Sequence, residues 1–239
     1  MKLDILVLTA HPDDAELGCG GTIAKHVSLG YKVGIVDLTQ GELGTRGSVE
    51  IRAREAREAA RILGVSVREN LALRDGFFQN SEQDQLKIVS AIRKYQPDIV
   101  LANAITDRHP DHGRGAALEY EACFLAGLVK IETVDEKGNP QAPWRPRSVY
   151  HCIQSDYIEP DFVCDVTDCW DVKMNAIRAF ASQFYDPASD EPETFISNPD
   201  FLKMIEARGV DLGRSIGVKY GEGFTVRRHP GIKSLFDIL

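Results

Sequence analysis

The chain has 239 residues, 43% of them hydrophobic, and a formal net charge of −8 at pH 7. This length suits one large α/β domain or two small ones, and the apolar content is ample for a continuous core, which excludes a disordered protein. The negative charge argues against binding to nucleic acid or an anionic membrane surface, because neither electrostatic attraction nor counterion release favours it. We therefore expect a small polar substrate.

The first half of the chain alternates between strand and helix patterns. Buried-strand patterns are predicted at residues 3–10, 32–38, 68–73 and 98–104. Helices are predicted at residues 18–29, 48–63, 81–95 and about 113–129. Alternation of this kind predicts a parallel sheet with right-handed crossovers, in the strand order 3-2-1-4.

The second half begins with a polar, proline-rich surface loop at residues 133–147. After it we predict strands at 148–153 and 162–166, a helix at 170–184, a loop at 186–199, a helix at about 200–208 and a last segment at 220–226. We interpret the chain as a single domain, residues 1–239. The predicted fold class is α/β, a Rossmann-like doubly wound, mostly parallel sheet with helices on both faces.

The N-terminal segment and the cysteines predict a cytoplasmic protein. The first apolar run is too short for a secretory signal, and no stretch approaches the ~20 apolar residues of a membrane span. The five cysteines form no C-x-x-C pair, and their odd number fits reduced thiols that pack in the interior. They are Cys19, Cys123, Cys152, Cys164 and Cys169.

Two clusters of imidazole and carboxylate directly follow predicted strands. His-Pro-Asp-Asp at residues 11–14 follows the first strand, and His-Pro-Asp-His at 109–112 follows the fourth. In a sheet ordered 3-2-1-4 these strands are neighbours and flank the crevice at their carboxyl ends, where ligands bind. Together the loops offer two neutral imidazoles and a carboxylate to one divalent metal, and further carboxylates for proton transfer. The pattern predicts a hydrolytic zinc site.

Each cluster also has a simpler interpretation as a loop. Proline keeps the preceding residue extended and aspartate caps the next helix, a substantial alternative for Asp111. This interpretation is weak for the two clusters together, because helix capping alone does not require a histidine in either loop. Asp13 and Asp14 would moreover repel each other at the end of a buried strand without a cation.

A dinucleotide-binding site is the second alternative. Residues 18–21 (Gly-Cys-Gly-Gly) open a helix after the first strand, and Asp37 lies near the end of the second. However, Ile23 occupies the place of the third glycine, and the carboxylates of Asp13, Asp14 and Glu16 would crowd the position of the pyrophosphate. We therefore reject NAD and interpret Asp37 as a structural residue.

The two clusters resemble the zinc-dependent N-acetylglucosaminyl deacetylases that are related to the phosphatidylinositol-glycan de-N-acetylases. The resemblance covers most of the chain, through residues 41–47 (Gly-Glu-Leu-Gly-Thr-Arg-Gly), Arg52, 182–184 (Ser-Gln-Phe) and 220–224 (Tyr-Gly-Glu-Gly-Phe). These outer motifs are most similar to the bacillithiol-biosynthesis deacetylases. The resemblance implies hydrolysis of the N-acetyl group of N-acetylglucosaminyl malate, and a homo-oligomer, either a trimer or a hexamer.

The resemblance also implies a role for each residue of the two clusters. The metal ligands are His11, Asp14 and His112, and the metal is Zn²⁺, with Fe²⁺ or another divalent ion as alternatives. Three protein ligands leave a position open for water or substrate. Asp13 is the general base.

His109 with Asp111 forms a charged pair beside the substrate, in which a protonated imidazole stabilises the developing oxyanion. A histidine that merely orients the loop is the alternative for His109.

Arg52 is expected to contact the substrate, because a malate aglycone carries two carboxylates that suit a guanidinium fork. Arg46 and Arg108 are further candidates. The other histidines are interpreted as packing or surface residues: His26, His151 and His229.

Other functions remain open at this stage. The catalytic loops read only an acetamido group, so chitooligosaccharides or inositol glycosides are alternative substrates. Two histidines and a carboxylate also describe non-haem iron oxygenases, although these do not require an adjacent free carboxylate as base. A non-catalytic sugar-binding module with a structural metal is the third class, and the intact base argues against it.

Overall fold

A computed structural model describes residues 1–238 of the chain; Leu239, the last residue of the predicted domain, lies outside the described residues. Seven strands form one sheet: β1 (Ile5–Thr9), β2 (Val33–Thr39), β3 (Val67–Leu73), β4 (Ile99–Ala102), β5 (Ser148–Cys152), β6 (Phe162–Asp165) and β7 (Gly221–Val226). Six α-helices cover it: α1 (Asp14–Ser28), α2 (Val49–Leu63), α3 (Glu82–Tyr95), α4 (Pro110–Leu125), α5 (Trp170–Arg178) and α6 (Phe201–Ser215). Short 3₁₀ helices are present at Thr167–Cys169 and Leu235–Asp237.

The strand order is β3-β2-β1-β4-β5-β7-β6. Strands β3, β2, β1, β4 and β5 are parallel, whereas β7 pairs antiparallel with both β5 and β6. The predicted 3-2-1-4 order and mostly parallel sheet are confirmed. Their consequence is that the loops after β1 and β4 lie side by side at the carboxyl edge.

Side chains of β1 alternate between two hydrophobic cores. Ile5 and Val7 pack with residues of α1, α2, α5 and α6 on one face, while Leu6 and Leu8 pack with α3 and α4 on the other. A strand buried on both faces is typical of a parallel sheet covered by helices. The prediction of helices on both faces is confirmed.

Helix starts show how local sequence sets the boundaries. Ser48 and Ser81 accept hydrogen bonds from backbone N–H groups three residues on, so α2 and α3 begin as predicted. Helices α1 and α4 begin earlier than predicted. Asp14 accepts the N–H of His11 at 2.8 Å and closes the turn into α1, and Pro110 starts α4 with the preset φ of proline.

Three helix ends also differ from the predictions. Helix α4 ends four residues early at Leu125, and α5 ends at Arg178 rather than at 184. Helix α6 instead continues past 208 through Gly209. A Cβ at Gly209 would lie 2.4 Å from the Trp170 ring, so this glycine permits close packing and does not end the helix.

A buried ion-pair network links α1, β2 and β3. Arg68 donates to Asp37 at 2.8 and 2.9 Å and to Glu16 at 2.6 Å. Burial raises the pKa of Glu16, and the guanidinium opposes that rise. Asp37 is thus structural, as predicted.

Two further features are the state of the cysteines and the length and polarity of the helices. All five cysteines are free, and all but Cys164 are fully buried. Within the described residues, none of the helices has both the length and the apolar character needed to cross a bilayer.

We expect Arg68→Met to lower the free energy of unfolding by about 3 to 5 kcal/mol, because it leaves two carboxylates buried without their cation. Urea unfolding followed by circular dichroism measures this loss. Arg61→Met is the matched control, because Arg61 forms an exposed pair with Glu58 and its loss should leave the urea midpoint nearly unchanged. Equal midpoints for the two variants would contradict the structural role of Arg68.

Candidate active site

Two histidines converge on one carboxylate at the carboxyl edge of β1 and β4. His11 Nδ1 lies 3.3 Å from Asp14 Oδ2, and His112 Nε2 lies 3.1 Å from Asp14 Oδ1. All three side chains are buried. Ligands bound tetrahedrally to zinc at about 2.0–2.1 Å lie about 3.3 Å from one another. Each of these two distances is therefore typical of neighbouring ligands of one metal ion. Among the described residues, the groups whose ligand atoms all lie within 4.8 Å of one another are His11 with His109 and His112, and His11 with Asp75 and Asp111.

The opposite nitrogen of each histidine is held by carboxylates. His11 Nε2 donates to Asp75 Oδ1 at 3.0 Å and to Asp111 Oδ2 at 3.2 Å, and His112 Nδ1 donates to Asp107 Oδ2 at 2.5 Å. This carboxylate–histidine arrangement fixes the ring orientation and leaves the other nitrogen free as a metal ligand.

Three polar residues of the site were not predicted from the sequence. Asp75 follows the end of β3, Asp107 lies in the loop after β4, and Gln154 follows β5 and donates to Asp14 Oδ1 at 3.0 Å. Each stands shortly after the carboxyl end of a parallel strand. That position is a usable signal for a site residue even where no histidine accompanies it.

The charge of the site is dominated by carboxylates. Although burial acts to raise it, the pKa of Asp14 is held well below its usual range by His112 and His11. Burial acts to lower the pKa of His112, but Asp14 and Asp107 raise it to about 9. The lowered pKa of Asp14 and the raised pKa of His112 both show that positive charge is favoured beside the Asp14 carboxylate. A bound cation would supply such a charge.

Asp13 has the most unusual backbone of the site. Its φ of 119° lies in the left-handed region, where a residue other than glycine is strained. Burial raises the pKa of Asp13 to about 7, although the nearby Arg52 lowers it. Strain and burial together hold a carboxyl group beside Asp14 that can take up and release a proton.

Arg52 contacts this carboxylate. It is only 5% exposed, and its Nη2 donates to Pro12 O at 2.6 Å and to Asp13 Oδ2 at 3.2 Å. Gly41, with φ of 66°, leaves room for it, since a Cβ there would overlap the guanidinium. Arg52 lines the cavity, its Nη2 is bound to the protein and its Nε has no partner among the described residues. Its contact with the substrate stays a prediction.

The expected charged pair of His109 and Asp111 is corrected. The carboxylate of Asp111 accepts from His11 Nε2, from Gly76 N at 2.8 Å and from Arg114 at 2.7 Å. Its contact with His109 is through its backbone N–H, which donates to His109 Nδ1 at 3.3 Å at the start of α4. Burial, and then the nearby His11 and His112, lower the pKa of His109. Because Nδ1 accepts the backbone N–H of Asp111, Nε2 is the ring nitrogen of His109 that can donate.

A cavity of about 380 Å³ opens onto His11, Asp13, Asp14, His109 and His112, and its outer wall comes from the 186–199 loop and α6. Arg46 is buried in that wall and donates to Ser182 O and Ser189 Oγ, both at 3.0 Å. Arg108 is exposed at the rim, and its guanidinium stacks 4.1 Å from the centre of the Phe195 ring. Of the three predicted arginines, Arg108 alone has a guanidinium without a hydrogen bond among the described residues.

The chain is similar to proteins of one family over nearly its whole length. The profile of the family "GlcNAc-PI de-N-acetylase" (PIG-L) matches residues 6–123. The diacetylchitobiose deacetylase of Thermococcus kodakarensis is 31% identical, over 95% of this chain and 84% of its own. The crystal structure of the conserved protein TT1542 of Thermus thermophilus superposes with a TM-score of 0.86 at 33% identity, covering 98% of each chain.

Two further relatives differ in what they act on. A probable N-acetyl-α-D-glucosaminyl L-malate deacetylase 2 of Bacillus subtilis is 27% identical over 77% of this chain and 84% of its own. The 4-oxalmesaconate hydratase of Pseudomonas putida is 28% identical over 97% of this chain and 88% of its own. The resemblance inferred from sequence is confirmed: this chain belongs to the GlcNAc-PI de-N-acetylase family.

Proposed function

We propose that this protein is a metal-dependent N-deacetylase that hydrolyses the acetamido group of an N-acetylglucosamine compound to acetate and a free amine. His11, Asp14 and His112 would hold the metal. The observation that carries the proposal is the convergence of His11 Nδ1 and His112 Nε2 on the Asp14 carboxylate, directly beside Asp13 and open to one cavity. Zinc is the ion we propose, and Fe²⁺ is the alternative.

Proton transfer in this reaction is assigned to Asp13. A bound divalent ion supplies Lewis acidity toward water and the acetamido carbonyl. The Asp13 carboxylate accepts a proton from the attacking water and later delivers it to the nitrogen of the leaving amine. Arg52 orients the carboxylate through its 3.2 Å hydrogen bond. The family's hydrolytic chemistry and this free base both favour deacetylation over the iron oxygenase alternative.

His109 is assigned a different role from Asp13. Because its Nδ1 accepts the N–H of Asp111, the ring proton of the neutral imidazole lies on Nε2. That N–H is a donor for the acetamido oxygen as negative charge develops on it. Asp111 supports this role through its backbone, while its carboxylate orients His11.

For the substrate we propose N-acetylglucosaminyl malate. The exposed Arg108 at the cavity rim matches an anionic aglycone, and the Bacillus subtilis relative is named for that compound. Diacetylchitobiose is the alternative, supported by the Thermococcus relative. The volume of about 380 Å³ suits one sugar with a small aglycone. Assembly as a homo-oligomer and a cytoplasmic location stay predictions.

We expect amine release from N-acetylglucosaminyl malate to stop after treatment with a chelator and to return when Zn²⁺ is added. Asp13→Asn should keep the metal and lower kcat by about 100- to 10,000-fold, because it removes the proton acceptor. Amine assays and metal analysis of both proteins test this. Full activity of Asp13→Asn would contradict the assigned base.

The same assay run on other compounds tests the substrate class. Faster release from diacetylchitobiose than from the malate glycoside would favour the alternative substrate. No amine from any acetamido sugar, together with hydration of 4-oxalmesaconate, would overturn deacetylation and favour the chemistry for which the Pseudomonas relative is named.

We expect Asp107→Asn to weaken Zn²⁺ binding by about 10- to 100-fold, because the carboxylate that orients His112 is lost. Competition with a chromophoric chelator measures the dissociation constant. Asp156→Asn is the control, because this neighbouring carboxylate is exposed and only its backbone N–H contacts Asp107. Equal loss in the two variants would contradict the role of Asp107.

We expect Arg108→Ala to raise KM for the malate glycoside roughly threefold to tenfold, a modest effect because an exposed ion pair is screened by solvent. KM for free N-acetylglucosamine should stay unchanged, since this sugar lacks the carboxylates. Arg54→Ala, which removes an exposed arginine of α2 outside the cavity, is the control. An equal rise in KM for both sugars would contradict recognition of malate by Arg108.

A further inference from the structure

A chain of buried amides begins at Gln154, which lines the cavity beside Asp14, and continues into the interior. Gln154 Nε2 donates to Asp14 Oδ1 at 3.0 Å. The carbonyl end of the same amide, Gln154 Oε1, accepts from Asn103 Nδ2 at 3.0 Å and from Ala104 N at 2.9 Å. The direction of each bond is therefore set: Asn103 donates to Gln154, and Gln154 donates to Asp14.

Glu119 of α4 closes the far end of this chain and is completely buried. Its Oε2 accepts the backbone N–H of Asn103 at 2.8 Å. Its other oxygen, Oε1, has no partner among the described residues, and neither does Asn103 Oδ1. Both oxygens face Gly115, where a Cβ would lie 3.2 Å from Glu119 Oε1 and 3.0 Å from Asn103 Oδ1. Two acceptors thus border one small buried space that, within the described part of the chain, contains no donor.

We propose that Glu119 is an uncharged carboxylic acid that donates the proton on Oε1 directly to Asn103 Oδ1, above Gly115. Glu119 is then a positioning residue. By holding the carbonyl end of the Asn103 amide, it fixes the amino end toward Gln154, and so fixes the donor that orients Asp14.

An ionised Glu119 does not fit the same contacts. Its Oε1 and Asn103 Oδ1 would both need a donor, and burying such acceptors unpaired is costly. Rotating the Asn103 amide would satisfy Glu119, but it would turn Oδ1 toward Gln154 Oε1 and break the chain. With no water between the two oxygens, only a protonated Glu119 satisfies both ends.

The surroundings support the neutral form. Burial raises the pKa of Glu119 well above its usual range, and Asp14 acts in the same direction, whereas the Asn103 N–H and His112 oppose them. His151, fully buried, donates Nδ1 to Asn103 O at 2.9 Å and fixes the same residue from the other side. The histidine interpreted from sequence as a packing residue therefore also holds this chain.

The inference depends on the proposed function only in that Asp14 is a metal ligand. We therefore test it first by infrared spectroscopy of the metal-free protein. The difference spectrum between the natural protein and Glu119→Gln should contain the carbonyl band of a protonated carboxylic acid. Glu121→Gln, at an exposed carboxylate in the same helix, should give only carboxylate bands. A carboxylate band for Glu119 at neutral pH would overturn the proposal.

Zn²⁺ affinity then tests the positioning role. Glu119→Gln, which retains a donor, should bind Zn²⁺ within about twofold of the natural protein, and Glu119→Met should bind about tenfold more weakly. The double variant Glu119→Met/Gln154→Met should be no weaker than Gln154→Met alone, because both act through one chain. Additive losses, or a loss in Glu119→Gln equal to that in Glu119→Met, would overturn the proposal.

If Glu119→Met does not fold, the infrared difference spectrum and the Zn²⁺ affinity of Glu119→Gln still test the proposal. A natural protein that binds no divalent ion would overturn the proposed function instead, and the infrared band would still decide the state of Glu119.

Discussion

The Asp14 carboxylate is the point at which the separate parts of the site meet. Oδ2 accepts the backbone N–H of His11 and faces its Nδ1, while Oδ1 faces His112 Nε2 and accepts from Gln154. These partners come from the loop after β1, the start of α4 and the loop after β5. They are neighbours only because β1, β4 and β5 are adjacent in the sheet. A strand order that separated β1, β4 and β5 would separate them.

The second constraint is charge. Four further carboxylates lie near Asp14. Asp75 and Asp111 contact His11, Asp107 contacts His112, and Asp13 contacts Arg52. Two arginines offset part of this charge: Arg52 binds Asp13 and Arg114 binds Asp111. The remaining negative charge is offset by the imidazoles of His11 and His112, each of which contacts carboxylates through both ring nitrogens. Although burial acts to lower both values, the carboxylates raise the pKa of His11 and the pKa of His112, so positive charge is favoured at this point, whether a protonated imidazole or a bound cation supplies it.

Much of this arrangement follows from the sequence, since the order of the strands places both histidine clusters at one edge. Contacts between distant segments do not follow as readily. Arg52 was expected near the site and lies there, but its partner is Asp13, because the turn after β1 carries that carboxylate toward α2. Adjacency also misleads at His109 and Asp111, whose side chains diverge at the helix start so that the backbone N–H makes the contact. Gly209 does not end α6, although glycine often ends helices. The Trp170 ring occupies the space that a side chain at this position would fill, and local helix propensity does not predict such a tertiary contact.

The separation of catalytic and recognition elements explains why relatives of this chain differ in substrate. The groups that would act on the acetamido bond come from strand ends and helix starts, which the sheet holds rigidly. The cavity wall comes from the 186–199 loop and the first turns of α6, which pack against the core through side chains such as Phe201 and Ile205. Loops of this kind change without disturbing strand order. The aglycone, and even the reaction, can therefore vary while the metal-binding edge persists, and Arg108 on Phe195 is the place where this chain's own selectivity is to be sought.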